Sequence, residues 1–177
     1  MAARNVILIG LRGSGKSSVG RALAARLGWE FVDTDERVEA QTRRTIAEIF
    51  AQDGEPAFRA LETAVIKDVA RGTRQVLSVG GGAVLNPENC ASLRAAGVCV
   101  WLTAPAEELH RRTQADPGTA TRRPALTDAA GVGEVRRLLS ARQPLYAALA
   151  DHVVSTEELP LERVVETVLR VVTSEVS

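Results

Sequence analysis

The segment Gly10-Leu-Arg-Gly13-Ser14-Gly15-Lys16-Ser17 constrains this chain more than any other, because it follows the short apolar run Asn5 to Ile9 and opens a stretch with helical patterning. It fits G-x-x-x-x-G-K-[ST]. In that pattern glycines let backbone N–H groups turn inward around phosphate oxygens, and a helix N-terminus adds positive dipole. Lys16 then spans the outer phosphates and the Ser17 hydroxyl ligates magnesium. Composition sharpens the reading: of 22 Lys and Arg residues only Lys16 and Lys67 are lysine, so an ammonium stands where one is wanted in a chain that otherwise uses Arg. The chain therefore binds a nucleoside triphosphate.

Five short apolar runs, Asn5 to Ile9, Glu30 to Val32, Gln75 to Val79, Val98 to Leu102 and His152 to Val154, alternate with helical periodicity along the 177 residues. The alternation predicts an α/β chain, a three-layer doubly wound fold with a five-stranded parallel sheet of the P-loop NTPase type, whose ligands sit at the carboxyl ends of the strands. Thr45-Ile-Ala-Glu48 reads as a capping box and Asn86 before Pro87 as an N-cap. Leu161, Val164, Val165, Val168, Leu169 and Val172 describe a docked terminal helix. Residues 1–177 form one domain, with a mobile lid at about 112–127, because Gln114 to Asp128 lacks apolar periodicity.

Charge excludes several functions. Twenty-two cations balance 22 acids and no run of five Lys or Arg occurs, so no global field favours nucleic acid or an anionic membrane. Val6 to Ile9 is too short for a signal-peptide core or a spanning helix, which makes the cytoplasm the expected location. Cys90 and Cys99 form no metal-binding pattern and read as buried thiols.

The remaining motifs address what the triphosphate is for. A guanine switch would need N-K-x-D, and Lys67 follows Ile66. A mechanical ATPase would end a buried strand in an acid, yet the third strand runs into Gly80-Gly81-Gly82 and the fourth into Thr103. The acids follow the second strand instead, as Asp33-Thr34-Asp35. In extended backbone both carboxylates would face one cleft, one supporting magnesium and the other taking the hydrogen bond and proton of an acceptor hydroxyl; the alternative is a pair of helix N-caps.

On the helix from Val132 to Leu149, Arg142 falls amid a stripe of Val135, Leu138, Leu139, Leu145, Tyr146 and Leu149, where an unpaired guanidinium would cost several kcal/mol and so calls for an anion. Phe58, Leu61, Val65 and Val69 form another stripe, with Arg59 beside it and Glu62 placed to hold its fork; each arginine reads either as an anion clamp or as a structural or surface cation. Gly80 to Gly82 permit close backbone approach to a small ligand, Arg123 could close over the phosphates from the lid, and Arg112 reads either as an adenine-stacking group or as a solvated helix cation.

These residues, G-L-R-G-S-G-K-S-S at 10 to 18, D-T-D at 33 to 35, F-R-x-L-E at 58 to 62, G-G-G at 80 to 82, R-R-P at 122 to 124 and R-Q-P-L-Y at 142 to 146, resemble the shikimate kinases over essentially the full chain. The resemblance implies ATP-dependent phosphorylation of the 3-hydroxyl of shikimate, with one Mg2+ ion; the expected partners are small-molecule substrates, with no nucleic acid and no membrane, and a monomer is expected. It implies nucleotide contacts from Gly13, Ser14, Gly15, Lys16, Ser17, Ser18 and Arg123, and magnesium at Ser17 with Asp33. It places Asp35, Arg59, Gly80, Gly81, Gly82 and Arg142 on the substrate, with Lys16, Asp35 and Arg123 catalytic. The chain departs from the family pattern at Ser18, where Thr is common, and in a longer segment from Gln114 to Arg122. It departs again at Ser155, where Asp is usual, so no nucleotide contact is carried over to residues 154–160. A gluconate kinase and a non-catalytic nucleotide-binding regulator share the first motif. D-T-D and F-R-x-L-E argue against the former, and Lys16 together with Asp35 against the latter.

Overall fold

The computed structural model describes residues 5–116 and 131–173. Its five strands are β1 (Asn5–Ile9), β2 (Glu30–Asp33), β3 (Gln75–Ser78), β4 (Val98–Thr103) and β5 (His152–Ser155). They form one parallel sheet in the order β2-β3-β1-β4-β5. The helices are α1 (Lys16–Leu27), α2 (Thr34–Thr42), α3 (Ile46–Val69), α4 (Pro87–Ala96), α5 (Ala106–Ala115), α6 (Gly131–Leu149) and α7 (Leu161–Thr173), with a 3₁₀ turn at Ala83–Leu85. Among the described residues no helix is long and apolar enough to cross a membrane.

The strands read as continuous apolar runs because both sheet faces are covered. Ile7 and Ile9 of β1 point into one core with Leu77, Cys99, Trp101, Phe58 and Tyr146. Val6 and Leu8 point into the other with Val76, Val100, Leu102, Leu23 and Val168. Register aligns the carboxyl ends: Leu8 lies opposite Ser78, Asp33 opposite Ser78, and Thr103 opposite Ser155. Every strand therefore delivers its following loop to the same edge.

Local chemistry sets the helix starts. Thr45 and Glu48 form the reciprocal capping box, and the Asn86 side chain accepts from Glu88 N ahead of Pro87. α3 breaks at Gly54, whose φ of 83° and ψ of 171° leave the helical region just before Pro56, so the Arg59 helix turns independently of the first segment.

Several expectations need correction. Asp33 is the last residue of β2 and Thr34 already begins α2, so Asp33 and Asp35 are not alternate positions of one extended strand. Leu145 of the α6 stripe is exposed, because Tyr146 and Leu149 take the inward positions. Leu161 of the terminal helix is exposed, and its core-facing residues are Val164, Val165, Val168 and Val172. Arg112 to Ala115, the first positions of the expected lid, are the last turn of α5. Cys99 is buried, which pushes its thiol up to about 12, with Asp151 adding to the effect, whereas Cys90 is only half-buried.

Candidate active site

Between β1 and α1 the chain folds back on itself. Ser14 N donates to Leu11 O at 3.2 Å, and Lys16 Nζ donates to Gly10 O at 2.7 Å and Leu11 O at 2.9 Å, so the ammonium is held over the loop by the loop's own carbonyls. Gly13 has φ +84°, and a Cβ there would lie 2.6 Å from Leu109 O and 2.9 Å from Thr113 Oγ1, so only glycine lets α5 pack this closely. No acidic residue occupies the first turn of α1, which leaves its positive end to an incoming anion.

Facing this loop, the Asp33 carboxylate does two jobs. Oδ1 accepts from Asp35 N at 2.9 Å and Glu36 N at 3.3 Å, capping α2, while Oδ2 accepts from Ser17 Oγ at 2.9 Å. The N-cap and the acid beside the phosphate loop are thus one residue. Ser78 Oγ lies 3.5 Å from Ser17 Oγ. These hard oxygens suit magnesium, which takes few protein ligands and keeps water and phosphate oxygens. Among the described residues there is no group of three or more His, Cys, Asp or Glu that could hold a metal ion.

A cavity of about 640 Å³ joins the two sides. Its lining includes Gly13, Gly15, Lys16, Ser17 and Ser18 from the loop, Asp33 and Asp35 from the β2–α2 junction, Gly80 and Gly81 after β3, and Arg112 of α5. Ser14 is buried behind the loop. Thr34, buried between the two acids, accepts from Gly80 N at 3.2 Å and ties that junction to the glycines.

Arg59 and Arg142 are not part of this lining, and Arg59 packs against the glycine turn. Arg59 Nη1 donates to Glu62 Oε1 at 2.8 Å, and its Nη2 and Nε reach Glu55 Oε1 at 3.1 and 3.2 Å. Burial alone would lower its pKa; buried Glu62, with Glu55, reverses the balance and raises it, so the fork stays charged. A Cβ on Gly82 would fall 2.4 Å from Arg59 Nη2, which places the guanidinium directly against the glycine turn. From the other side Tyr146 OH donates to Gly81 O at 2.6 Å. Arg142 lies half-buried on α6, one helical turn before Tyr146. Arg123 lies outside the described residues.

Arg112 is not a solvated cation. It donates to Glu108 Oε1 at 2.7 Å, Thr156 Oγ1 at 2.8 Å, Thr156 O at 2.8 Å and Gly13 O at 3.3 Å. Glu108 receives Arg111 as well as Arg112, and the two together pull its carboxyl down to about 2. Sequence reasoning missed Arg12, Glu39 and Ser78, all of which line the cavity. Ser78 had a legible signal, a polar residue ending an apolar strand; Arg12 had none, standing at a wildcard position in an Arg-rich chain.

The family model described as shikimate kinase matches residues 12–173. The shikimate kinase of Symbiobacterium thermophilum is 45% identical over 165 residues, covering 93% of this chain and 94% of that protein. The solved structure of shikimate kinase from Acinetobacter baumannii in complex with shikimate superimposes with a TM-score of 0.91 at 35% identity, covering 98% of this chain and 94% of the other. A gluconokinase from Sinorhizobium meliloti, with a TM-score of 0.57 at 19% identity and coverages of 98% and 94%, shares the fold alone.

Proposed function

The chain belongs to the shikimate kinase family, and from that premise we propose how its residues divide the reaction ATP + shikimate → shikimate 3-phosphate + ADP, a step toward chorismate and the aromatic amino acids. The observation that carries the division is the shared cavity: Lys16 and Ser17 line it on one side, Asp35, Gly80 and Gly81 on the other. Its size is that of a small-molecule site.

The N–H groups of Gly13 to Ser18 and the Lys16 ammonium hold the β- and γ-phosphates. Ser17 and Asp33 would hold Mg2+, which would supply charge neutralisation on the phosphate oxygens. Asp35 accepts the hydrogen bond of the 3-hydroxyl and takes its proton as the new O–P bond forms and the bond to ADP breaks. Shikimate carries a carboxylate at one end and hydroxyls at the other, so it needs cationic forks opposite an acid. Arg59 and Arg142 supply the forks, and Gly80 to Gly82, without side chains, let the ring approach the backbone. Arg123 stabilises charge on the transferring phosphoryl group and Arg112 meets the adenine side. Reliance on ATP supports a cytoplasmic location.

A coupled assay with ATP and magnesium tests the reading. ADP release depends on shikimate and is absent with gluconate or nucleoside monophosphates. Folded protein that releases no shikimate-dependent ADP overturns it.

A further inference from the structure

Immediately past β5, Thr156 is 3% exposed, and its polar groups are spent on a single task. Its N–H donates to Thr103 O, at the end of β4, at 2.8 Å, and its hydroxyl donates to the same oxygen at 3.3 Å. With the proton committed, the hydroxyl oxygen is left as an acceptor and receives Arg112 Nη1 at 2.8 Å, while the Thr156 carbonyl receives Nη2 at 2.8 Å. The remaining contacts of the guanidinium run to Glu108 on its own helix and to Gly13 of the phosphate loop.

We propose that Thr156 is a positioning residue for the nucleotide: its hydroxyl, anchored on the end of β4, aims the Arg112 guanidinium across Gly13 into the cavity. The assignment rests on the nucleotide-side role of Arg112 given above. A guanidinium has five N–H donors in a rigid plane, and four donations to three separate pieces of chain leave this one little freedom to rotate. A cation fixed before the ligand arrives does not have to be ordered on binding. The Thr156 hydroxyl donates a hydrogen bond to a carbonyl and accepts one from the arginine at once; valine has the same shape but would set a methyl against a buried N–H, which costs an unmade hydrogen bond. The loop carrying Thr156 is the one whose sequence departs from the family pattern at Ser155, and the contact it makes is with Arg112.

Titration calorimetry with ADP and magnesium tests the proposal without requiring turnover. Thr156→Val weakens ADP binding roughly fivefold or more and raises the KM for ATP in step, with the KM for shikimate and kcat within about twofold, and Thr156→Ser restores the wild-type values. In an Arg112→Ala background Thr156→Val adds almost nothing, because its effect passes through the missing guanidinium. Unchanged ADP affinity in folded Thr156→Val overturns the proposal, as does a penalty that persists in full without Arg112. Should Thr156→Val lose its cooperative melt, Thr156→Ala against Thr156→Ser makes the same contrast, and equal affinities there overturn it. Failure of the shikimate reading looks different: wild-type protein would bind ADP yet release none with shikimate.

Discussion

At the phosphate-loop end the lining comes from one unbroken string, residues 12–18, whose shape is held by its own carbonyls through Lys16. The groups proposed for the acceptor end, Asp35, Arg59, Gly82 and Arg142, arrive from α2, α3, the turn after β3 and α6; Arg59 is held by Glu62 and Glu55, and the glycine turn by Thr34 and Tyr146. The first kind of site works through backbone direction and tolerates no side chain where the loop is tight. The second works through side-chain charge and depends on partners far away in sequence. Substitutions should therefore fail differently at the two ends.

The largest expected effect lies at the acceptor end. Asp35→Asn keeps size and removes the proton acceptor, so kcat falls by about 10²- to 10⁴-fold, while ADP affinity by calorimetry stays within about twofold. A matching loss of ADP affinity would break the separation of the two ends. Next, Gly13→Ala puts a Cβ against the Leu109 carbonyl and forces alanine to φ +84°. The backbone penalty alone is about 1–2 kcal/mol, and with the clash ADP affinity drops by tenfold or more on the order-of-magnitude scale, shikimate affinity being spared. Equal losses for both ligands would show that the loop is not an independent cradle.

Arg142→Ala raises the KM for shikimate by more than about tenfold, since a charge-assisted fork contributes about 1.5–3 kcal/mol, and leaves the KM for ATP nearly unchanged. An unaltered shikimate KM would make Arg142 a purely structural cation. The smallest effect is on stability. Arg111 and Arg112 depress the Glu108 carboxyl from 4.5 to about 2 on folding, so its contribution is fully present above the unfolded value and is lost as pH falls through the folded one. Glu108→Gln accordingly lowers Tm at pH 7 by a margin that narrows below about pH 4.5 and is lost as pH falls through about 2. A margin still intact at pH 2 would mean that the Glu108 charge is not what ties Arg112 to its helix.

Much of this was legible before any coordinates. The five strands stand within a residue or so of where apolar runs placed them, and the capping box at Thr45 and the N-cap at Asn86 form as written, because each depends on neighbours within one turn. The D-T-D string pointed to the right cavity for the wrong local reason. The pleat does not continue through Thr34; the Asp33 carboxylate caps a helix with one oxygen and meets Ser17 with the other, which propensity alone does not distinguish. The α6 stripe overreached at Leu145, since helical spacing identifies a face but not how wide a strip of it the neighbours cover.

The string at residues 10–18 by itself determined that this protein cradles phosphate, and the alternation of strands and helices that it would do so at the edge of a parallel sheet, for both are consequences of short-range backbone geometry. Only the tertiary structure decided that Arg112 is gripped by Thr156, 44 positions away, and reaches Gly13, 99 positions away, and that Tyr146 fastens the Gly81 turn from 65 positions away. The physical reason is strand order: β1 lies between β3 and β4, and that pairing, invisible in any local window, sets which loops share the carboxyl edge and so which distant side chains can exchange a hydrogen bond.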